Sequence, residues 1–240
     1  DDVKIETRGA SAEQSKFDIL FVNVGATFNT GKLSAVFEEG LKKHGFKNLQ
    51  FCNWDDLNPD LLKRSRCVTI FPLQRLTFSK EDDARFNLIK EYVNQGGGLL
   101  ITQIVGQMLA DSLLSVKLGD MFGADIRYEK TIFNKEKIVK LGDQHGDAYY
   151  RCNDIAAPFN KGVKSMLFPA AEVGSIIGNV PFSGDKNWQV ILKADEKTFS
   201  QVPRTFVLNV YQERVNGRTP FKSHVPMAGV RKYGKGHVAY

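Results

Sequence analysis

Four histidines, three cysteines and a few polar residues beside apolar runs are the groups in this chain that could do chemistry. Cys52, Cys67 and Cys152 form no Cys-x-x-Cys pair and leave one thiol over under any disulfide scheme, so buried reduced thiols are expected. Cys52 and Cys67 stand at the ends of two expected strands that could be neighbours, which keeps one bridge open in an oxidising compartment. His44, His145, His224 and His237 have no second ligand at metal spacing, so neither a metal nor a cofactor is expected. His145, in Gly142-Asp143-Gln144-His145-Gly146-Asp147, is the histidine best suited to proton transfer, because its Asp and Gly neighbours would expose and orient it. The carboxylates Asp55-Asp56 and Glu81-Asp82-Asp83 fall where helical first turns begin, and the helix dipole explains them without catalysis.

The elements that must carry these groups alternate. Phe17-Asp18-Ile19-Leu20-Phe21-Val22-Asn23-Val24 is a short, nearly continuous apolar run, the mark of a strand buried on both faces. Leu33, Val36, Phe37, Gly40 and Leu41 then recur at helical spacing over 32–44, with Gly45 at the expected C-cap. Asn48–Cys52 reads as a second strand, 55–63 as a polar turn or helix with Pro59 near its start, and Cys67–Phe71 as a third strand. Ser79 is a natural N-cap for a helix over 80–94, whose stripe is Phe86, Leu88, Ile89, Tyr92 and Val93. Gly96-Gly97-Gly98 stops it, Leu99–Thr102 makes a strand in which Leu100 reads as core, and 109–121 another helix. These repeats predict a doubly wound, mainly parallel, flavodoxin-like sheet. Strand-like pieces at 125–133, 137–141, 188–193, 205–211, 224–231 and 236–240 predict an antiparallel C-terminal extension, and 143–185 reads as long and partly irregular. Residues 1–16 form an N-terminal extension and 17–240 one α/β domain on this reading.

Three stretches carry a resemblance: Leu88-Ile89-Lys90-Glu91-Tyr92-Val93-Asn94-Gln95-Gly96-Gly97-Gly98-Leu99-Leu100-Ile101, then Leu118-Gly119-Asp120-Met121-Phe122-Gly123-Ala124, then Val230–Tyr240 with its Tyr233-Gly234-Lys235-Gly236-His237-Val238-Ala239-Tyr240 end. Together they resemble the class I glutamine amidotransferase-like superfamily, particularly its ThuA-like and β-galactosidase trimerisation-like branches. In that family the strand after the glycine turn ends in an elbow bearing a Cys, activated by a His paired with an acidic residue. Aligned on that elbow, this chain places Gln103 at or within one residue of the nucleophile, and Gln cannot attack as a thiolate. No cysteine lies near the elbow, and the family's later histidine and acidic partner find no clear counterpart. The resemblance therefore implies the fold without the amidotransferase reaction. Because the glycines precede their strand, they are also not the phosphate-binding loop of a dinucleotide fold.

Open α/β sheets bind ligands at the carboxyl ends of their strands, so Asn23, Gln74, Arg75, Gln103 and Gln107 are the cleft candidates. Two functions follow. The first is a noncatalytic interaction, oligomerisation or ligand-binding module, as accessory domains of carbohydrate-active enzymes are, with a homo-oligomer or a larger multidomain protein as its setting. The second is a ThuA-like hydrolase or isomerase acting on a small polar or sugar-like molecule, with Gln103 and His145 as its weak catalytic candidates.

Composition bounds the rest. With 240 residues, 42% hydrophobic and 25% charged, the chain can bury a full core. Its longest apolar runs are far short of the roughly twenty residues that span a bilayer. The start at Asp1-Asp2-Val3-Lys4 has neither Met nor an apolar h-region and reads as a processed or cut boundary, which leaves secretion open. The net charge is +6, and Arg204, Arg214, Arg218, Lys222, Arg231, Lys232 and Lys235 crowd the C-terminal end. Without a nucleic-acid motif or interleaved aromatics, a solvated basic face is expected there and a nucleic-acid partner is not.

Overall fold

The structure, a computed structural model, describes residues 17–24, 35–71, 78–102, 109–126, 129–141, 148–170, 181–201 and 219–240. Strand β1 is Phe17–Asn23, buried from Ile19 onward as its two-sided apolar run requires. Helix α1, Ala35–Lys43, stops at Gly45, whose φ of +93° suits a residue without a Cβ. Strand β2 is Leu49–Asn53. Helix α2, Pro59–Lys63, starts at Asn58, whose side chain accepts from the Asp60 and Leu61 N–H groups, with Pro59 preset for the first turn. Strand β3 follows at Ser65–Phe71, helix α3 at Lys80–Asn94, strand β4 at Gly98–Ile101 and helix α4 at Leu109–Met121.

The remaining strands are short. They are β5 (Ala124–Ile126), β6 (Lys130–Ile132), β7 (Ile138–Lys140), β8 (Ala148–Cys152), β9 (Asp154–Ile155), β10 (Met166–Pro169), β11 (Phe182–Gly184), β12 (Trp188–Lys193) and β13 (Phe199–Gln201). A C-terminal hairpin of β14 (Pro226–Tyr233) and β15 (Gly236–Ala239) closes the chain.

The main sheet runs β2-β1-β3-β4-β15-β14-β12-β9. Its first five strands are mutually parallel, and β14, β12 and β9 extend it antiparallel. This is a mixed α/β fold with four α-helices among the described residues. Period-two alternation sends Leu20, Val22, Val68, Ile70, Leu99, Ile101 and Val238 to one face. There they form the main core with Leu62 of α2, Phe86, Ile89, Tyr92 and Val93 of α3, and Leu114 and Leu118 of α4. Leu100 corrects its expected place in the core: it points to the opposite face and is 36% exposed, whereas Leu99 is 2% exposed.

The glycine turn does what its composition suggests. Gly96 takes a φ of +123°, and a Cβ on Gly97 would strike the Tyr92 ring, so α3 can lie close against the sheet only with these residues. The Tyr92 hydroxyl completes the joint by donating to the Ser65 carbonyl at 3.2 Å.

Several expectations need correction. Cys52 and Cys67 cannot bridge, because β1 lies between their strands, with Val22 opposite Cys52 and Ile19 opposite Cys67. All three cysteines are free. The piece at 125–133 is two strands, since β5 pairs with β11 while β6 pairs with β13. The stretch 143–185 is less irregular than it reads, because β8, β9, β10 and β11 lie in it and β10-β8-β7 forms a small antiparallel sheet. These strands have two to five residues, too few for an apolar period to show. They place Tyr150 and Cys152 in a second core with Phe133, Ile155, Leu192, Ala194, Val225 and Met227. The strand expected at 205–211 lies outside the described residues.

Candidate functional site

The chain leaves β1, adds β2 on its outer side, then crosses back to place β3 on the other side of β1. That reversal is the topological switch point at which α/β sheets open a crevice beyond their carboxyl ends. Asn23 closes β1 there, in register with Asn53 of β2 and Phe71 of β3. It is 7% exposed, a buried amide that follows the apolar run Ile19–Val22. Beside it, the Thr102 hydroxyl following β4 donates to the Ile70 carbonyl at 2.8 Å, tying the ends of β3 and β4 together. Asn53 Nδ2 donates to Asp56 Oδ2 at 3.1 Å. Of the cleft candidates the structure therefore places Asn23 at the switch point, while Gln74, Arg75, Gln103, Gln107 and His145 lie outside the described residues.

The thiols stand elsewhere. Cys67 is opposite Gly98, at the amino end of β4 and so some three residues, roughly 10 Å, from its carboxyl end. Cys52 is on β2, three strands away from β4 in the sheet order. Cys152 belongs to the second core, where its Sγ donates to the Lys193 carbonyl at 3.1 Å. Burial, with the Asp56 carboxylate adding to it, pushes the Cys52 thiol up to about 11. Burial likewise raises Cys67 and Cys152. All three are held in the unreactive thiol form.

Two buried polar clusters went unread in the sequence. Asp82, fully buried, accepts from Trp54 Nε1 at 2.5 Å and from the Ser79 N–H at 2.7 Å, with Arg85 NH1 at 3.2 Å. The helix dipole accounts for a carboxylate at that position, but only the fold brings Trp54 to it. Asp195 accepts from Asn134 Nδ2 at 2.9 Å, Thr198 Oγ1 at 2.9 Å and the Lys197 N–H at 3.1 Å, and Lys137 Nζ stands 3.2 Å away. Burial pulls this carboxyl upward, yet the bonds from Asn134, Thr198 and Lys137 outweigh it and hold Asp195 below the usual range. Asp-x-x-Thr is a turn pattern, the one sequence signal that could have flagged Asp195. Of the basic C-terminal residues, Arg204, Arg214 and Arg218 lie outside the described residues, while Lys222, Lys232 and Lys235 are exposed. Arg231 is inward, bonding the Phe122 carbonyl and facing Asp185 Oδ2 at 3.2 Å.

Among the described residues no three His, Cys, Asp or Glu side chains converge as metal ligands. Among the described residues, the groups at the switch point are the Asn23 and Asn53 amides, the Thr102 hydroxyl and the Asp56 carboxylate bonded by Asn53, a set suited to hydrogen-bonding a polar ligand.

No family model and no curated protein matches the sequence. Among solved structures the fold is similar to the mmIFT52 N-terminal domain, with a TM-score of 0.57 at 14% identity over 92% of this chain and 84% of that one. The exo-β-1,4-mannosidase Op5Man5 from Opitutaceae bacterium strain TAV5 aligns at TM-score 0.41 and 10% identity, over 93% of this chain and 30% of the enzyme. A ThuA-like protein from Bacteroides uniformis aligns at 0.46 and 12% identity, over 96% and 84%. At such identities the mmIFT52 likeness is one of fold alone.

Proposed function

We propose that this chain is a noncatalytic interaction or ligand-binding domain, a single α/β unit over residues 17–240. On this reading α1 covers the sheet face opposite α2–α4, which completes a doubly wound layer. The observation that supports it is the placement of the thiols: none can reach the carboxyl end of β4, where an amidotransferase nucleophile would stand, and all three are shifted away from thiolate. A polar or sugar-like ligand would meet Asn23 and the residues that follow β3 and β4, including Gln74, Arg75, Gln103 and Gln107. The same surface, or self-association, would place the domain in a larger assembly.

Glutamine hydrolysis by the purified chain, with and without alkylation, tests this. No turnover is expected, and Gln103→Cys alone is expected to stay inert, because a thiol attacks only with a paired imidazole and on this reading the family's later histidine has no counterpart in the sequence. Thiol-dependent turnover abolished by alkylation would overturn the proposal. Light scattering with sizing chromatography tests assembly: a strict monomer at high concentration removes the self-association part.

A further inference from the structure

Helix α1 runs out through Lys42-Lys43-His44-Gly45-Phe46-Lys47, a basic stretch around one aromatic. Two bonds lock that corner: the Gly45 N–H to the Lys42 carbonyl and the Phe46 N–H to the Leu41 carbonyl, each at 3.0 Å. In this cap geometry the residue at Phe46 commonly folds back onto the last helical turn, yet Phe46 is 41% exposed. Lys43, His44 and Lys47 around it are exposed as well.

The positive charge continues along the amino ends of the neighbouring strands. Asp18 Oδ2 accepts from the Lys47 and Asn48 N–H groups at 2.9 and 3.0 Å, and Asp18 Oδ1 faces Arg66 NH1 at 3.7 Å. Arg66, its side chain 66% exposed, therefore stands beside the Phe46 corner. Lys235, in the turn between β14 and β15, is exposed on the same edge, four strand spacings from β2 and so roughly 19 Å along. Among the described residues the opposing charges at this edge are few and mostly engaged: Asp18 as above, Glu38 paired to Lys42 at 2.6 Å, Glu91 bonded by Gln95 at 2.8 Å, and exposed Glu39.

We propose that this amino-terminal edge of the sheet docks on an anionic lipid bilayer. Phe46 enters the headgroup layer, and Lys43, Lys47, Arg66 and Lys235 face the lipid phosphates and carboxylates. An exposed aromatic set rigidly among cations matches the requirements of interfacial binding, where apolar insertion and electrostatic attraction add. A nucleic-acid partner fits less well, since one ring at a corner offers no succession of stacking platforms.

Co-sedimentation of the purified chain with phosphatidylcholine vesicles, with and without phosphatidylserine, tests the proposal. Binding is expected only with phosphatidylserine and is expected to fall as salt rises. Lys43→Ala and Lys47→Ala are each expected to lower the partition about five-fold, and Phe46→Ala to weaken it further. Because these side chains are exposed, each variant should melt like the parent, and Phe46→Trp should shift its emission to the blue on vesicles alone. Three outcomes overturn the proposal: no binding, equal binding to neutral vesicles, or binding to heparin or duplex DNA with none to vesicles.

Discussion

Leu99 and Leu100 are adjacent and chemically identical, yet the pleat gives them different energies. Leu99→Asp places an unpaired charge in the main core and is expected to cost several kcal/mol, about 3–5, by chemical denaturation. Leu100→Asp is expected to cost about 1 kcal/mol or less, because a carboxylate there stays hydrated. Equal losses would contradict the strand's facing. Cys52 makes a second residue-scale case. Its thiol is raised from the ordinary 9.0 to about 11, so above pH 9 the unfolded chain holds fewer protons than the folded one, and stability falls as pH rises toward 11. Denaturation midpoints measured across that window should decline less for Cys52→Ala than for the parent.

Among the elements, α3 owes its position to one buried carboxylate. Ser79 and Asp82 form a reciprocal capping box, and Asp82 also accepts from Trp54 Nε1. Ser79→Ala removes one cap bond and is expected to cost about 1 kcal/mol. Asp82→Ala strands the indole N–H and the Ser79 N–H together, and about 3 kcal/mol or more is expected from thermal or urea unfolding. If the two variants proved equally mild, Asp82 would be an ordinary dipole partner. The α3–β4 joint rests on glycine in the same way, and Gly97→Ala is expected to destabilise because its Cβ would displace the Tyr92 ring.

At the scale of the whole molecule, β12 links the two cores: Trp188 packs with the first and Leu192 with the second, on either side of an irregularity between Val190 and Leu192. The Asp195 network fastens the second core by joining Asn134 to a turn 61 residues later. Its depressed carboxyl contributes stability that is present above the unfolded value near pH 4 and is lost as pH falls through the folded value. The parent should therefore lose more stability than Asp195→Asn between neutral pH and about pH 3. Tyr150→Phe leaves the buried Asp195 N–H without its 3.0 Å acceptor and is expected to cost about 1–3 kcal/mol at all pH values.

The sequence determined the parts whose signals are local. The 80–94 helix with its Ser79 cap, the 109–121 helix, the apolar run of β1 and the glycine turn before β4 all follow from periodicity, capping and backbone freedom within a few residues. That no cysteine stands among the residues immediately after β4 is equally a matter of order along the chain. Tertiary structure alone decided that β1 separates Cys52 from Cys67, that Leu100 faces away from the main core, and that Trp54 and Asp82 meet. It also decided that two- to five-residue strands within 143–185 build a second core. Each depends on partners tens of residues apart, and pairing at that distance is set by burial and register in the assembled sheet rather than by any neighbouring residue.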